Sequence, residues 1–326
     1  MNNNKLKNIG IIMGGYSHEH EISLKSGMVV YKTLKENYNC YRILIKKNSW
    51  SLIDENNNLT AIDKETFQVI DYPNLRFYCI FNAIHGTPGE DGEMQKYFND
   101  KKIPITGCNS YQSELTFDKV KCLNFLSSKG IKVASSISIL KSNKANLTEI
   151  EAKVGFPCFV KASNSGSSFG VYKVYNKYEM KNCLDSAFEV DDKVLVESYI
   201  DGREFSVGVI SFRGKNKVLP ITEIITSNDF FDYEAKYEGK AQEITPARIS
   251  DKLESRLNLL SKDIYKLLEL KGFSRSEFIV NSDGIYYLET NTVPGLTSES
   301  ILPQQVKCAN IDLKDLFTNA IEEVIN

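Results

Sequence analysis

The chain has 326 residues, 42% of them hydrophobic and 25% charged, with a formal net charge of −2. That length holds two or three domains of ordinary globular composition, and the near-zero charge removes the electrostatic case for nucleic acid as a partner. Seven scattered cysteines without a Cys-x-x-Cys pair indicate neither a disulfide framework nor a zinc-thiolate site and fit a reducing cytoplasm, and no segment approaches the roughly 18 apolar residues of a membrane span.

The apolar run 9–13 is too short for a leader and reads as a first strand ending at Gly14-Gly15. A helix beginning near Ser17 buries Ile22, Val29, Val30 and Leu34, and strands follow at 42–45 and 77–84, the start of a parallel α/β sheet of Rossmann-like type. The polar interval 46–74 is expected to be a surface excursion, and a short strand at 103–107 closes a first domain, residues 1–108. A single helix over 114–126, capped near Gly130, and strands at 157–162 and 171–175 make a smaller α+β unit, residues 109–190. After a helix over 178–188, strands at 194–199, 204–210 and 217–221 are expected to form one antiparallel meander that opens a third domain, residues 191–326.

Three segments carry chemistry. The first, Gly14 to Glu21, lies at the carboxyl end of a parallel strand, where α/β sheets bind ligands. Glu19 and Glu21 there either face a substrate or complement the helix dipole, and the spacing of His18 and His20 does not suit zinc on a helix. His85, ending another parallel strand, either faces the same crevice or is a hydrogen-bonded structural residue. The second segment, 164–170, reads Asn-Ser-Gly-Ser-Ser-Phe-Gly between two apolar strands. Its small residues let amides and hydroxyls approach an anion, with Lys161 just upstream, although it is not a Walker A loop.

The third segment is the most informative. The β-prone runs 278–281 and 285–288 are separated by Ser282, Asp283 and Gly284, read as a three-residue loop. In that register Glu277 lies opposite Glu289 and Arg275 opposite Asn291. One reading is a solvated hairpin face. The other is an oxygen site for a hard divalent cation, because two opposed glutamates repel unless a cation or proton lies between them.

Several blocks, in order and at compatible spacing, carry a resemblance over nearly the whole chain: MGGYSHEHEISLKSG from Met13, AIHGTPGEDG from Ala83, GFPCFVKASNSGSSFGVYKV from Gly155, VLVESYIDGREFSVGV from Val194, FFDYEAKYEG from Phe230 and LETNTVPGLTSESILPQQ from Leu288. The chain resembles the D-alanine:D-alanine ligases of the ATP-grasp superfamily. The resemblance implies an α/β N-terminal domain followed by a two-domain ATP-grasp fold, and ATP-dependent joining of two D-alanines through an acyl phosphate for peptidoglycan precursors. Lys119 and Lys161 would contact the ATP phosphates beneath the loop of Gly166, Ser167 and Ser168, with Glu197 at the adenine amino group, Glu204 at the ribose and Lys236 near the γ-phosphate. Glu277, Glu289 and Asn291 would hold two Mg²⁺ ions, or Mn²⁺, with Asn291 also at the nucleotide.

By the same resemblance Glu19 would bind the ammonium of the first D-alanine beside His85, Arg275 and the Gly295 amide would be oxyanion donors, and Ser300 would hold the second carboxylate. A lid over about 226–248 would bring Tyr237 to Ser167 and through it to Glu19. Tyr237 argues for an amine acceptor, since depsipeptide-forming relatives commonly have Phe there. The family more often has Asp where this chain has Glu277, which bears on metal preference, and more often a basic residue where it has His20. A homodimer is implied only because relatives are dimers, with neither membrane nor nucleic acid as partner. Two alternatives stay open: another carboxylate-amine ligase with a different acceptor, and a silent nucleotide binder.

Overall fold

A computed structural model describes residues 6–226 and 241–325. The first sheet has the strand order β5-β4-β3-β2-β1-β6, with β1 (Asn8–Gly14), β2 (Asn39–Ile45), β3 (Trp50–Ile53), β4 (Leu59–Asp63), β5 (Gln68–Val69) and β6 (Cys79–Asn82). Only β2, β1 and β6 run parallel, joined by helix α1 (His20–Leu34); β3 to β5 extend the sheet antiparallel. The expected surface excursion at 46–74 is therefore corrected. Trp50 and Leu52 alternate inward onto Phe67 and Phe98, while the polar residues that disguise the segment form its turn, where the Asp54 carboxylate accepts the Asn56 and Asn58 amides at 2.8 and 2.7 Å.

The parallel strands are buried on both faces, as βαβ packing demands. Ile12, Ile43 and Ile80 face helix α2 (Glu93–Asp100) through Met94 and Phe98. Ile9, Ile11 and Met13 pack on α1 and on residues from the far end of the chain, among them Leu302, Val306, Phe317 and Ile321. That cluster fastens the first sheet to the last one.

Helices α3 (Ser110–Phe117) and α4 (Lys119–Ser128) replace the single helix expected over 114–126. The break falls at Asp118, whose extended backbone (φ −80°, ψ 99°) lets its carboxylate cap α4 by accepting the Lys121 amide at 3.1 Å. The second sheet, in the order β7-β10-β8-β9, comprises β7 (Ser136–Leu140), β8 (Cys158–Ala162), β9 (Val171–Val174) and β10 (Lys193–Ser198). Helices α5 (Leu147–Lys153) and α6 (Lys177–Ala187) cover one face of it, with Ile150, Met180 and Leu184 in the shared core. Because β10 pairs with β7 and β8, the meander expected from 194 onward begins one strand later.

The third sheet is built from β11 (Arg203–Phe212), β12 (Lys215–Val218), β13 (Thr222–Thr226), β14 (Ala241–Ile244), β15 (Phe273–Asn281) and β16 (Gly284–Asn291), all antiparallel. Helix α7 (Asp251–Leu267) packs on it together with α4, so Leu123, Leu126, Leu257 and Phe278 share one core. Helices α8 (Ile301–Cys308) and α9 (Leu313–Ile325) end the described chain. Among the described residues no helix is long and apolar enough to cross a membrane.

The β15–β16 hairpin reaches the expected pairing by an unexpected route. Asn281 pairs with Gly284, so the turn holds two residues and not three, and a bulge between the pairs Phe278–Tyr287 and Glu277–Glu289 then restores the register. Leu288 is the extra residue. Its insertion turns Leu288 and Glu289 toward the same cavity, while Tyr287 and Thr290 on either side are buried.

Candidate active site

Strand β1, inside the first sheet, carries the chain to Glu19 beyond its carboxyl end. Glu19 occupies the N-cap position of α1 but makes no capping bond; its carboxylate, 7% exposed, instead accepts the Ser167 hydroxyl from the second sheet's loop. Close by, His85 is 3% exposed and uses both ring nitrogens, Nδ1 at 2.7 Å from the Val293 carbonyl and Nε2 at 2.8 Å from Ser26 Oγ. A carbonyl only accepts, so Nδ1 carries the proton and Nε2 accepts from the serine. Burial pushes the His85 pKa down against the opposing pull of the Glu19 carboxylate and the Val293 carbonyl, which keeps the ring neutral near pH 7. His18 stacks on Phe169 at 3.7 Å while His20 bonds the Gly15 carbonyl at 3.0 Å, so the two histidines diverge as expected.

The loop between β8 and β9 is anchored at its start by Asn164, whose amide and side chain both donate to Asp191 at 2.7 and 2.8 Å. Ser167 and Ser168 have φ of 49° and 59°, a left-handed backbone that side-chain-bearing residues rarely adopt and that clusters at ligand clamps. Gly166 is required for a different reason: a Cβ there would lie 2.3 Å from Glu19 Oε2. Gly166→Ala is therefore expected to push the loop off Glu19 and break the Ser167 bond. A hydrogen bond to a charged group is worth ~1.5 kcal/mol or more, so the KM for a substrate that contacts Glu19 should rise about tenfold. Because Gly166 has no left-handed φ, alanine should leave thermal stability within ~1 kcal/mol. Steady-state kinetics and a melting curve check both; an unchanged KM would show that the loop's approach to Glu19 is incidental.

On the hairpin, Arg275 lies opposite Asn291 and Glu277 opposite Glu289. Arg275 donates to Glu277 and, at 3.0 Å, to Ser206 Oγ. Burial alone would weaken its charge, but Glu277 and then Glu289 more than restore it. Lys119 points its ammonium at the Ser165 carbonyl and lies 3.6 Å from Glu289. Lys161 pairs with Glu197, and that carboxylate, with Glu289 and Glu204 behind it, outweighs burial and raises the lysine's pKa. Lys161 is therefore cationic near neutral pH.

Two cavities share this machinery. The larger, about 500 Å³, lies between the second and third sheets. Lys161, Glu197, Glu204, Ser168 and Glu277 line its polar side, and Phe159, Tyr199, Ile279 and Leu288 form an apolar slot. The smaller, about 80 Å³, gathers Glu19, His85, Gly166, Ser167, Arg275, Asn291 and Gly295 from all three sheets and their loops. Lys119 and Glu289 line both, so the two spaces meet at those side chains. Ser300 stands at the N-cap of α8 without capping it, and a Cβ on Gly295 would lie 2.5 Å from its hydroxyl. Lys236 and Tyr237, with most of the expected lid, lie outside the described residues.

Reasoning from sequence missed Glu90 and Ser26. Glu90 is 5% exposed and accepts the Gly86 amide at 2.7 Å and the Val293 amide at 3.3 Å. Burial first, and then the Glu19 charge, push its pKa up to about 8. The glycines at 86, 89 and 92 make this stretch read as a solvated turn, and nothing local announces that a distant loop covers it.

The family pattern described as D-ala D-ala ligase N-terminus matches residues 8–108, and the one described as D-ala D-ala ligase C-terminus matches residues 125–322. A D-alanine–D-alanine ligase of Flavobacterium johnsoniae is 54% identical over 97% of this chain and 99% of its own. Among solved structures, the VanG D-Ala:D-Ser ligase of Enterococcus faecalis superposes with a TM-score of 0.87 at 31% identity, covering 98% of this chain and 99% of that one. The D-alanine–D-alanine ligase of Bacillus anthracis complexed with ATP gives 0.78 at 28% identity, covering 98% and 97%. With both halves matched in order and more than half its residues shared with a curated relative along nearly its full length, the chain belongs to the D-alanine–D-alanine ligase family.

Proposed function

We propose that this chain joins two D-alanines at the expense of ATP, with the nucleotide in the larger cavity and the amino acids in the smaller one. The observation that carries the assignment of sites is their junction: Lys119 and Glu289 line both spaces, which is where a γ-phosphoryl group must pass from nucleotide to carboxylate. The base fits the apolar slot of Phe159, Tyr199 and Leu288. Glu197 faces the adenine amino group while steadying Lys161, and Glu204 meets the ribose hydroxyls. Lys119, Lys161 and the 166–170 loop hold the phosphates.

The donor set of Glu277, Glu289 and Asn291 fits a divalent cation: all three offer oxygen, and the two carboxylates stand on directly opposed positions of neighbouring strands. These residues would hold Mg²⁺, or Mn²⁺, in the nucleotide complex. Bound there, the metal supplies charge neutralisation for the phosphates.

The first D-alanine, its ammonium on Glu19, presents its carboxylate to the γ-phosphorus; an O–P bond forms and ADP leaves. The amine of the second D-alanine then attacks the acyl carbon, the C–O bond to phosphate breaks, and inorganic phosphate departs. Arg275 and the Gly295 amide face the oxygen that gains charge in that second step. Ser300 and the uncapped first turn of α8 hold the second carboxylate, as a helix N-terminus favours an anion.

Incubating the protein with ATP, Mg²⁺ and D-alanine, with ADP measured and products identified by mass, tests this. D-alanine-dependent ADP formation with D-alanyl-D-alanine as product is expected. A mixed product when D-serine or D-lactate is added would reassign the acceptor. ADP formation that ignores D-alanine would overturn the substrate assignment.

A further inference from the structure

The segment carrying Gly295 belongs to the chain's C-terminal part, yet its bonds run back to the first sheet. The Val293 carbonyl accepts His85 Nδ1 at 2.7 Å. The Val293 amide is shared between Asn291 Oδ1 at 2.8 Å and Glu90 Oε1 at 3.3 Å. Beyond Gly295, the Leu296 amide donates to Ser26 Oγ at 3.2 Å, and that same hydroxyl donates to His85 Nε2 at 2.8 Å. The backbone is thus gripped on both sides of Pro294-Gly295, and proline's ring fixes one of the remaining torsions.

We propose that Ser26 and Glu90 are positioning residues for the ligation: with His85 between them they hold 293–296 so that the Gly295 amide points at the reacting carbonyl oxygen. The proposal rests on the ligase reading and on Gly295 as an oxyanion donor. Ser26 lines neither cavity; Glu90 lines the smaller one, where its two carboxylate oxygens are taken up by the Gly86 and Val293 amides. Ser26 is fully buried inside α1 and Glu90 is 5% exposed, so both are held within the packed interior around the small cavity. Glu90 adds a second tie, since its other oxygen holds the Gly86 amide next to His85 at 2.7 Å. The loop therefore takes its position from the same element that presents Glu19 to the first substrate. Oxyanion donors act only within a few tenths of an ångström of the right place, which gives such a tie its value.

The reach of the proposal is set by how rate depends on placement: small displacements of a positioned group cost about ten- to a hundredfold. Ser26→Ala and Glu90→Gln in the full chain are expected to lower kcat for dipeptide formation about tenfold or more, with the KM for ATP within about twofold of the unsubstituted protein. Glu90→Gln keeps one carbonyl acceptor and Glu90→Ala keeps none, so alanine should lose more. Should Glu90→Ala fail to fold, the Ser26→Ala and Glu90→Gln pair still decides. Unchanged kcat in both variants overturns the proposal. So does a fall in kcat matched by an equal rise in the ATP KM and a lowered Tm, which marks general loosening. If the unsubstituted protein forms no ADP in response to D-alanine, the ligase reading itself fails.

Discussion

Replacing Arg275 with methionine is expected to lower kcat for dipeptide synthesis by about 10²- to 10³-fold, the ~3–4 kcal/mol that the oxyanion-donor role proposed for it is worth. The side chain lines the small cavity, and its guanidinium is held by Glu277 and by Ser206 Oγ at 3.0 Å. That two-point anchorage pre-orients the charge, so little reorganisation is needed when the tetrahedral oxygen develops. Methionine fills much the same volume but leaves Glu277, 4% exposed, without its counter-charge. Breaking a buried pair costs ~3–5 kcal/mol, so the variant should also melt earlier. The double variant Arg275→Met/Glu277→Leu removes both charges and isolates the stability effect alone, since Glu277 is also a proposed metal ligand. It should recover much of the lost Tm and none of the lost kcat. A single variant with kcat within about fivefold of the unsubstituted protein would remove Arg275 from the chemistry.

The hairpin shows how far sequence reasoning reaches. The pairing of Glu277 with Glu289 and of Arg275 with Asn291 follows from period-2 alternation, and it survives although the turn is one residue shorter and a bulge one residue longer than expected. Opposed charges over a short range are legible because strand geometry is local. What was not legible depended on partners far away in sequence. The strands β3 to β5 were hidden because Asn- and Asp-rich turns outnumber the buried residues between them. The strand β10 looks like any other apolar run; only its neighbours β7 and β8 show which sheet it joins. Glu90 and Ser26 gain their meaning from a loop some 200 or more residues downstream, as the sequence separations of 203 and 270 show. The family resemblance named residues such as Glu19, Lys161 and Gly295, but the bonds that orient them are made by residues distant in sequence.

Asp118→Ala is expected to be the most damaging single change to stability, ~3–5 kcal/mol at pH 7, as for other broken buried ion pairs. The carboxylate is 2% exposed and joins three elements at once. It caps α4 through the Lys121 amide at 3.1 Å, accepts Ser163 Oγ at 2.8 Å where β8 ends, and binds the Lys193 ammonium where β10 begins. Burial alone would raise its pKa; the bonds from Lys193, the Lys121 amide and Ser163 outweigh burial and leave the pKa below the ordinary carboxylate value. A carboxyl with a folded pKa below the unfolded one stabilises fully above about pH 4, and that contribution is lost as pH falls through the folded value. Asp118→Asn keeps the cap and the Ser163 bond but strands Lys193, so it should fall between alanine and the unsubstituted chain. Its deficit in urea unfolding at pH 7 should shrink as the pH is lowered toward 3, where the aspartate too begins to lose its charge. A deficit constant across that range would mean that the bond to Lys193 contributes nothing as an ion pair. Activity should respond as well, because Lys119 follows directly and its amide donates to the Ser163 carbonyl at 3.1 Å. Loosening Asp118 therefore loosens the lysine that lines both cavities, and the KM for ATP should rise in the alanine variant before its global unfolding is measurable.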